Sequence, residues 1–333
     1  MNSTNEFKVK TIYGPHPSRC FGLVLGIDPL GLPKRCVYNC ISCPLTIKTL
    51  VKTVKPLSLI SPEDVIRDLD MFINLYGKVF KRIVIWGLGD PLLNYNTPLI
   101  TREIKSYLNK AGIDVPISLR TTGYLLLTDW AKPLLEYVDS IIIPVSAPSS
   151  LRRTLVDPAP EAKYSIITKN ISSLEPRYRE KISIEVTLYK TTGFSNATYE
   201  VLEELIADIS RLRVDKILLK TVNRPSPREE LKPVRGKLFE RIREKFENEG
   251  YNVMTCTETQ LYSLRISPRN WLLNHLIRKP LNTLEISSIY GVEGVAFAET
   301  LSSKGLLDKV TWEKSVYFRP RVKVLMHRGI GIG

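Results

Sequence analysis

The chain is almost without glutamine, having only Gln260, and it holds just three histidines and four methionines in 333 residues. It has no run of about 18 apolar residues, which excludes the usual signature of a membrane-spanning helix. Its opening, MNSTNEFKVK, lacks the apolar stretch of a secretory leader, so the expectation is a cytoplasmic protein with no membrane partner. Cysteine is scarce and odd in number: there are five, three of them between residues 36 and 43. That argues against a disulfide framework and for a metal site in a reducing compartment. The lack of glutamine beside plentiful Ile, Arg and Lys is the balance of a thermophile's protein.

What is present can fold. Hydrophobic residues make up 43% of the chain, enough for a real core, and the length allows about two domains. Charge is uneven. Of the net +14, half lies in residues 8–55, where Lys8, Lys10, Arg19, Lys34, Arg35, Lys48, Lys52 and Lys55 face one acid, Asp28. Such a stretch attracts RNA, DNA or any phosphate-bearing substrate, or it merely solubilises a surface.

From residue 21 onward, short β-branched runs alternate with amphipathic segments. FGLVLGID (21–28), RIVIW (82–86), VPISLRTT (115–122), SIIIPVSA (140–147), ISIEVTL (182–188) and DKILLK (215–220) read as strands. Helices are predicted over 61–77, 97–111, 128–138, 149–174, 195–212 and 234–249, the first capped by Ser61 and the fifth by Ser195 or Asn196. Six strand-helix units of near-continuous hydrophobicity mean an α/β fold with a parallel sheet, either a partial (β/α)6 TIM-like barrel or a doubly wound sheet. In both, the site lies at the C-terminal ends of the strands. The predicted boundaries are a barrel over 1–255, a linker over 256–267 and a small winged-helix domain over 268–330, with three helical segments and a wing turning near Trp312 to Ser315.

RCVYNCISCPL follows the first strand and spaces Cys36, Cys40 and Cys43 as C-x3-C-x2-C. A structural zinc site wants four donors, and only His16 and Cys20 are near enough in sequence to complete one. A simple iron–sulfur carrier wants four thiolates. Three thiolates without a fourth suggest a metal position left open for substrate.

The spacing resembles the signature of the radical S-adenosylmethionine (SAM) superfamily. YGPHPSRCFGLVLGIDPLGLPKRCVYNC is similar to the opening of an archaeal and bacterial group of iron–sulfur oxidoreductases distantly related to the wybutosine-synthesising enzymes, and GLGDPLLN resembles that group's G-x-G-E-P-x-L-N. The resemblance implies a [4Fe–4S] cluster on Cys36, Cys40 and Cys43, with SAM on its fourth iron. One electron from a reductant protein would then cleave SAM to a 5′-deoxyadenosyl radical. It implies that Gly87, Gly89, Asp90 and Pro91 meet the methionine end, and that Thr122, Ser146 and Thr187, with TVNRP (221–225), touch ribose or adenine. The chain departs from its relatives at Ser42, where many carry an aromatic residue, at Cys20, where they carry a base, and at Glu185, where they tend to carry Arg. Taken alone, Cys20 reads as an inert small hydrophobe, an auxiliary ligand or a reactive thiol.

Arg120, Glu185, Lys220 and Arg224 stand at strand ends, either lining a cavity for an anionic substrate or paired with one another. In the winged-helix domain ten bases outnumber five acids, but the segment expected to enter a groove, VEGVAFAETLSSK, carries Glu293 and Glu299 and no base before Lys304. That suits a module that presents an RNA or protein substrate better than a reader of DNA. His275 and His327 are isolated and read as surface or packed residues. The expected function is a radical SAM enzyme on an unidentified substrate, with RNA in first place. The alternatives are a zinc or iron–sulfur DNA-binding regulator, and a radical SAM maturase of a protein or cofactor precursor.

Overall fold

A computed structural model describes residues 9–45, 54–228, 230–321 and 324. Lys8, Lys48, Lys52, Lys323, His327 and Arg328 lie outside the described residues.

One sheet of eight strands organises the chain. The strands are β1 (Ile12–Ser18), β2 (Gly22–Ile27), β3 (Arg82–Ile85), β4 (Ile117–Arg120), β5 (Ser140–Pro144), β6 (Ile182–Leu188), β7 (Lys216–Thr221) and β8 (Asn252–Cys256). They stand in the order of the sequence, β1 antiparallel to β2 and the rest parallel. A doubly wound sheet needs a reversal in strand order, so this is an open partial barrel. The six expected strands are present, and two edge strands are added to them. β1 escapes a hydrophobic reading because Gly14, Pro15, His16 and Pro17 fill it; proline is tolerated there because it is an edge. β8 is mostly exposed and so carries little apolar signal.

Helices cover the sheet: α1 (Pro62–Tyr76), α2 (Thr97–Lys110), α3 (Leu134–Tyr137), α4 (Arg152–Leu155), α5 (Tyr164–Ser172), α6 (Pro176–Arg179), α7 (Tyr199–Ser210) and α8 (Lys237–Asn248). Ser61 caps α1 as expected, its hydroxyl accepting the Asp64 N–H at 3.2 Å. The cap of α7 is Thr198, not Ser195 or Asn196. Asn196 is taken by the barrel mouth, donating to the Ser146 and Thr187 carbonyls and accepting from the Tyr189 N–H. The segment 128–138 forms turns and only one short helix, because Pro133 interrupts it.

After β8 come α9 (Pro268–Arg278), β9 (Leu281–Asn282), α10 (Thr283–Ser303), β10 (Leu307–Trp312) and β11 (Ser315–Pro320). Gly291, at φ 69°, breaks α10 into two helical pieces. Glu313 and Lys314, both at positive φ, turn β10 back onto β11, and β9 adds a third strand. This unit shares its core with the barrel: Trp271, Leu276, Ile289 and Phe318 belong to the same buried cluster as Ile83, Ile141 and Ile217. Two buried ion pairs fasten it further. Arg278 donates to Asp28 at 2.8 Å, and Arg224 holds Glu285 with two bonds of 2.8 and 2.6 Å.

Among the described residues no helix is long and apolar enough to cross a membrane.

Candidate active site

A cavity of about 300 Å³ opens at the C-terminal ends of the strands. Cys36, Cys40, Ser42 and Cys43 line one wall with Gly89 and Thr122, while Ser146, Thr187 and Glu185 line the next. Lys220, Arg224, Arg19 and Lys279 complete it where β7, the end of β1 and the end of α9 meet.

The cysteine loop is held by its backbone. Asn39 donates to the Val156 carbonyl at 2.9 Å, Ile41 to Leu155 at 3.0 Å, and Ala159 returns a bond to Val37 at 2.8 Å. On the other side Arg35 donates to the Leu88 carbonyl at 2.7 Å, and the Asp90 N–H donates back to the Arg35 carbonyl at 2.9 Å. This clip explains the glycines. Gly89 lies at φ 134°, and a Cβ there would fall 1.4 Å from the Arg35 carbonyl oxygen. A Cβ on Gly87 would fall 2.2 Å from the Asp28 carboxyl carbon. Each admits only glycine because another chain segment occupies the space of a side chain.

Asp90 is placed differently from the expectation of a ligand contact. It is fully buried and does not line the cavity. Its carboxylate accepts from the Thr121 hydroxyl at 2.8 Å, the Thr122 N–H at 3.0 Å, the Leu92 N–H at 3.1 Å and the Thr122 hydroxyl. Burial raises its pKa against these bonds. Its work is to join the loop after β3 to the loop after β4. Gly87 and Pro91 likewise stand behind the wall, whereas Gly89, Thr122, Ser146 and Thr187 form it. The Ser146 hydroxyl accepts from the Thr187 N–H at 2.9 Å, which ties the last two together.

Cysteine pairing corrects the reading of Cys20. It forms a disulfide with Cys256, 236 residues away, joining the end of β1 to the end of β8. Spacing cannot reveal a partner so distant in sequence. Cys20 is therefore neither inert nor a spare ligand, and only Cys36, Cys40 and Cys43 are free. His16, the other local candidate for a fourth ligand, is stacked on Tyr13 and lies beside His275. His275 is packed, as expected, with Nδ1 3.0 Å from the Tyr290 hydroxyl.

Burial pushes the Cys36 thiol up to about 12 and the Cys40 thiol to about 11. Lys34 donates to the Cys43 sulfur at 3.3 Å. Burial alone would lower that lysine, but the neighbouring Cys43 and Cys36 outweigh it and the net shift is upward. Among the described residues no three His, Cys, Asp or Glu side chains gather as a single-ion site.

The strand-end charges are paired. Glu185 accepts from Arg120 and from Lys220, each at 2.6 Å, and Arg120 stacks on Trp86 at 4.0 Å. Burial would raise Glu185, but Arg120 and Lys220 outweigh it and bring it to about 2. Lys220 is lowered to about 8, mainly by burial. Among its described residues the basic stretch 8–55 is dispersed: Lys10 lies 3.6 Å from Asp68, Lys34 faces Cys43 and Arg19 lines the cavity. Sequence reasoning passed over Arg19, Lys34 and Lys279 as site residues. Lys34 could have been found, standing two residues before Cys36.

No protein-family profile matches the chain. Among curated proteins it is 25% identical over 280 residues to a GTPase Obg of Brachyspira hyodysenteriae, covering 83% of this chain but only 40% of that protein. The G-x4-G-K-[ST] loop of a GTP site does not occur in this sequence. It is also 25% identical over 215 residues to a UPF0026 protein of Helicobacter pylori, over 65% of this chain and 67% of that one. Among solved structures, a radical SAM methyltransferase from Sphaerobacter thermophilus superposes with a TM-score of 0.50 at 14% identity, over 70% of this chain and 66% of that one. That likeness is one of fold, and it agrees with the open partial barrel.

Proposed function

We propose that this chain is a radical SAM enzyme in which Cys36, Cys40 and Cys43 hold three irons of a [4Fe–4S] cluster and SAM lies across the ends of β3 to β6. One observation carries the reading. Of five cysteines, two are joined to each other, and the three left free are those of the C-x3-C-x2-C run, together on one cavity wall. No fourth free thiol remains among the described residues to close the site.

When bound, the cluster would supply the one-electron reduction of SAM and, through it, hydrogen abstraction from the substrate. The chain's own residues do the rest. Lys34 offsets thiolate charge at Cys43. Gly89 brings bare backbone to the cavity wall, where the methionine end of SAM would lie, and Asp90 serves that wall from behind by fixing Thr122. Thr122, Ser146 and Thr187 line the part of the cavity where the sugar and base would lie. Tyr38, buried on the same wall and hydrogen-bonded to Arg152 at 2.7 Å, supplies the aromatic surface that Ser42 lacks.

For the substrate we propose RNA, delivered by residues 268–330 acting as a winged-helix presenting module after a linker over 256–267. A separate reductant protein would supply the electron. The kinship with the oxidoreductase group related to wybutosine-synthesising enzymes rests on the opening motifs and on GLGDPLLN. In support of a presenting module, a cleft of about 500 Å³ between barrel and C-terminal unit is lined by Trp312, Tyr317 and Arg235 and shares Arg19 and Thr221 with the site. Anaerobic reconstitution with iron and sulfide, followed by reduction and assay for 5′-deoxyadenosine, tests the chemistry. A loaded, reduced protein that leaves SAM intact would rule it out.

A further inference from the structure

The seam where the two edges of the open sheet meet is built unlike the rest of the cavity. There the β1–β2 turn, the end of β7 and the end of α9 converge, held by the Cys20–Cys256 bond and by Arg19 donating to the Thr221 carbonyl at 2.5 Å. Arg19, Lys220, Arg224 and Lys279 all line the cavity at this point, and Arg120 reaches toward them from β4. Five basic side chains thus face two carboxylates, Glu185 and Glu285, and both carboxylates are already engaged, by Arg120 and Lys220 and by Arg224. The Lys279 ammonium has no hydrogen-bond or ion-pair partner among the described residues. Nδ1 of His16, on the same wall, is buried and likewise without a partner.

Unmatched like charges in a partly desolvated pocket are costly unless an anion joins them. Burial, reinforced by Arg224, pulls the Lys279 pKa well below its ordinary value, and burial brings Arg19 down to about 10. The excess of cations suits a doubly charged group better than a single carboxylate, and guanidinium groups match the oxygens of phosphate in a fork. By strand order the seam lies away from Gly89 and Thr122 in the loops after β3 and β4, where the cofactor would rest.

We propose that Arg19, Lys220, Arg224 and Lys279 form a phosphate-binding subsite that anchors the substrate at the seam of the barrel. The subsite deepens the radical-enzyme reading by naming the charge its substrate carries. A phosphate could come from the end of an RNA chain or from a small phosphate ester, and the recognition chemistry is the same.

The test is calorimetric titration of the full-length, cluster-loaded protein with inorganic phosphate and, in parallel, with malonate. Phosphate is expected to bind more tightly than malonate, and Lys279→Gln and Arg19→Gln are each expected to weaken it by about tenfold or more. Two variants are used so that one failing to fold leaves the other to decide, and melting temperature monitors folding. Phosphate that fails to bind, that binds both variants as it binds the native protein, or that binds more weakly than malonate overturns the proposal. Displacement of phosphate by a 5′-phosphorylated oligoribonucleotide, or by glycerol phosphate, supports it and identifies the source; displacement by neither overturns it. Loss of 5′-deoxyadenosine formation with phosphate binding intact would sink the radical reading alone. The converse would sink the subsite alone.

Discussion

The cysteine wall and the seam opposite it enclose one cavity, yet one is assembled from backbone and the other from charge. On the cysteine side, loops after β2, β3 and β4 are clipped by main-chain bonds such as Arg35 to Leu88, and bare glycines let the strands approach. On the seam side, the sheet edges are drawn together by ion pairs, a disulfide and the packing of α9 and α10 against β1. Under the proposed function the difference separates two tasks. A wall that fixes a cofactor needs positions set to a fraction of an ångström, which backbone provides. A wall that receives a charged substrate needs fields, which side chains provide.

The comparison can be broken at either wall. On the cysteine side, Cys36→Ala is expected to reduce 5′-deoxyadenosine formation to background while the melting temperature stays near that of the native apoprotein. On the seam side, Arg278→Met strands the Asp28 carboxylate, which is fully buried. A loss of about 3–5 kcal/mol in chemical denaturation is expected. Gly89→Ala sharpens the claim about backbone: its Cβ cannot fit beside the Arg35 carbonyl, so a loss of about 3 kcal/mol and poorer cluster loading should appear together. Next comes the disulfide. Cys20→Ser is expected to cost about 2–4 kcal/mol in the oxidised protein and nothing once the native protein has been reduced. Thiol titration of the unfolded, unreduced apoprotein should find the three cysteines of the loop and no more.

The smallest effect is in pH dependence. Glu185 has its folded pKa lowered to about 2, so its contribution is complete above the unfolded value of ~4.3 and is lost as pH falls from there toward 2. Lys220 is lowered to about 8, so the folded state binds less proton than the unfolded one between pH 8 and ~10.4, and stability rises with pH across that window. Glu185→Gln should flatten the acid limb of a denaturation profile, and an unchanged acid limb would place the charge coupling elsewhere.

The central strands were legible because each carries a mostly buried run of aliphatic residues, as RIVI and KILLKT do. β1 was not, since its burial comes from α9 and α10 lying against it and not from its own residues. The cysteine triplet and the glycine turn announced themselves by spacing. The hydrogen bonds inside them did not: Asp90 braces two loops, and its partners Thr121 and Thr122 arrive from the next strand. Glu185 and its two cations could be placed at strand ends, but the pairing depends on sheet register, which the pattern of residues leaves open. Lys279 gave no signal at all, since nothing in its neighbourhood along the chain reveals that it ends beside Arg224.

The three free cysteines decide the chemistry. Anaerobic reconstitution of the native protein and of Cys40→Ala, each reduced with dithionite in the presence of SAM, tests this most directly. The account predicts that the native protein incorporates about four irons and releases 5′-deoxyadenosine and methionine, and that the variant does neither. A native protein that binds a single zinc in place of iron, or that carries a full cluster and leaves SAM uncleaved, would contradict it.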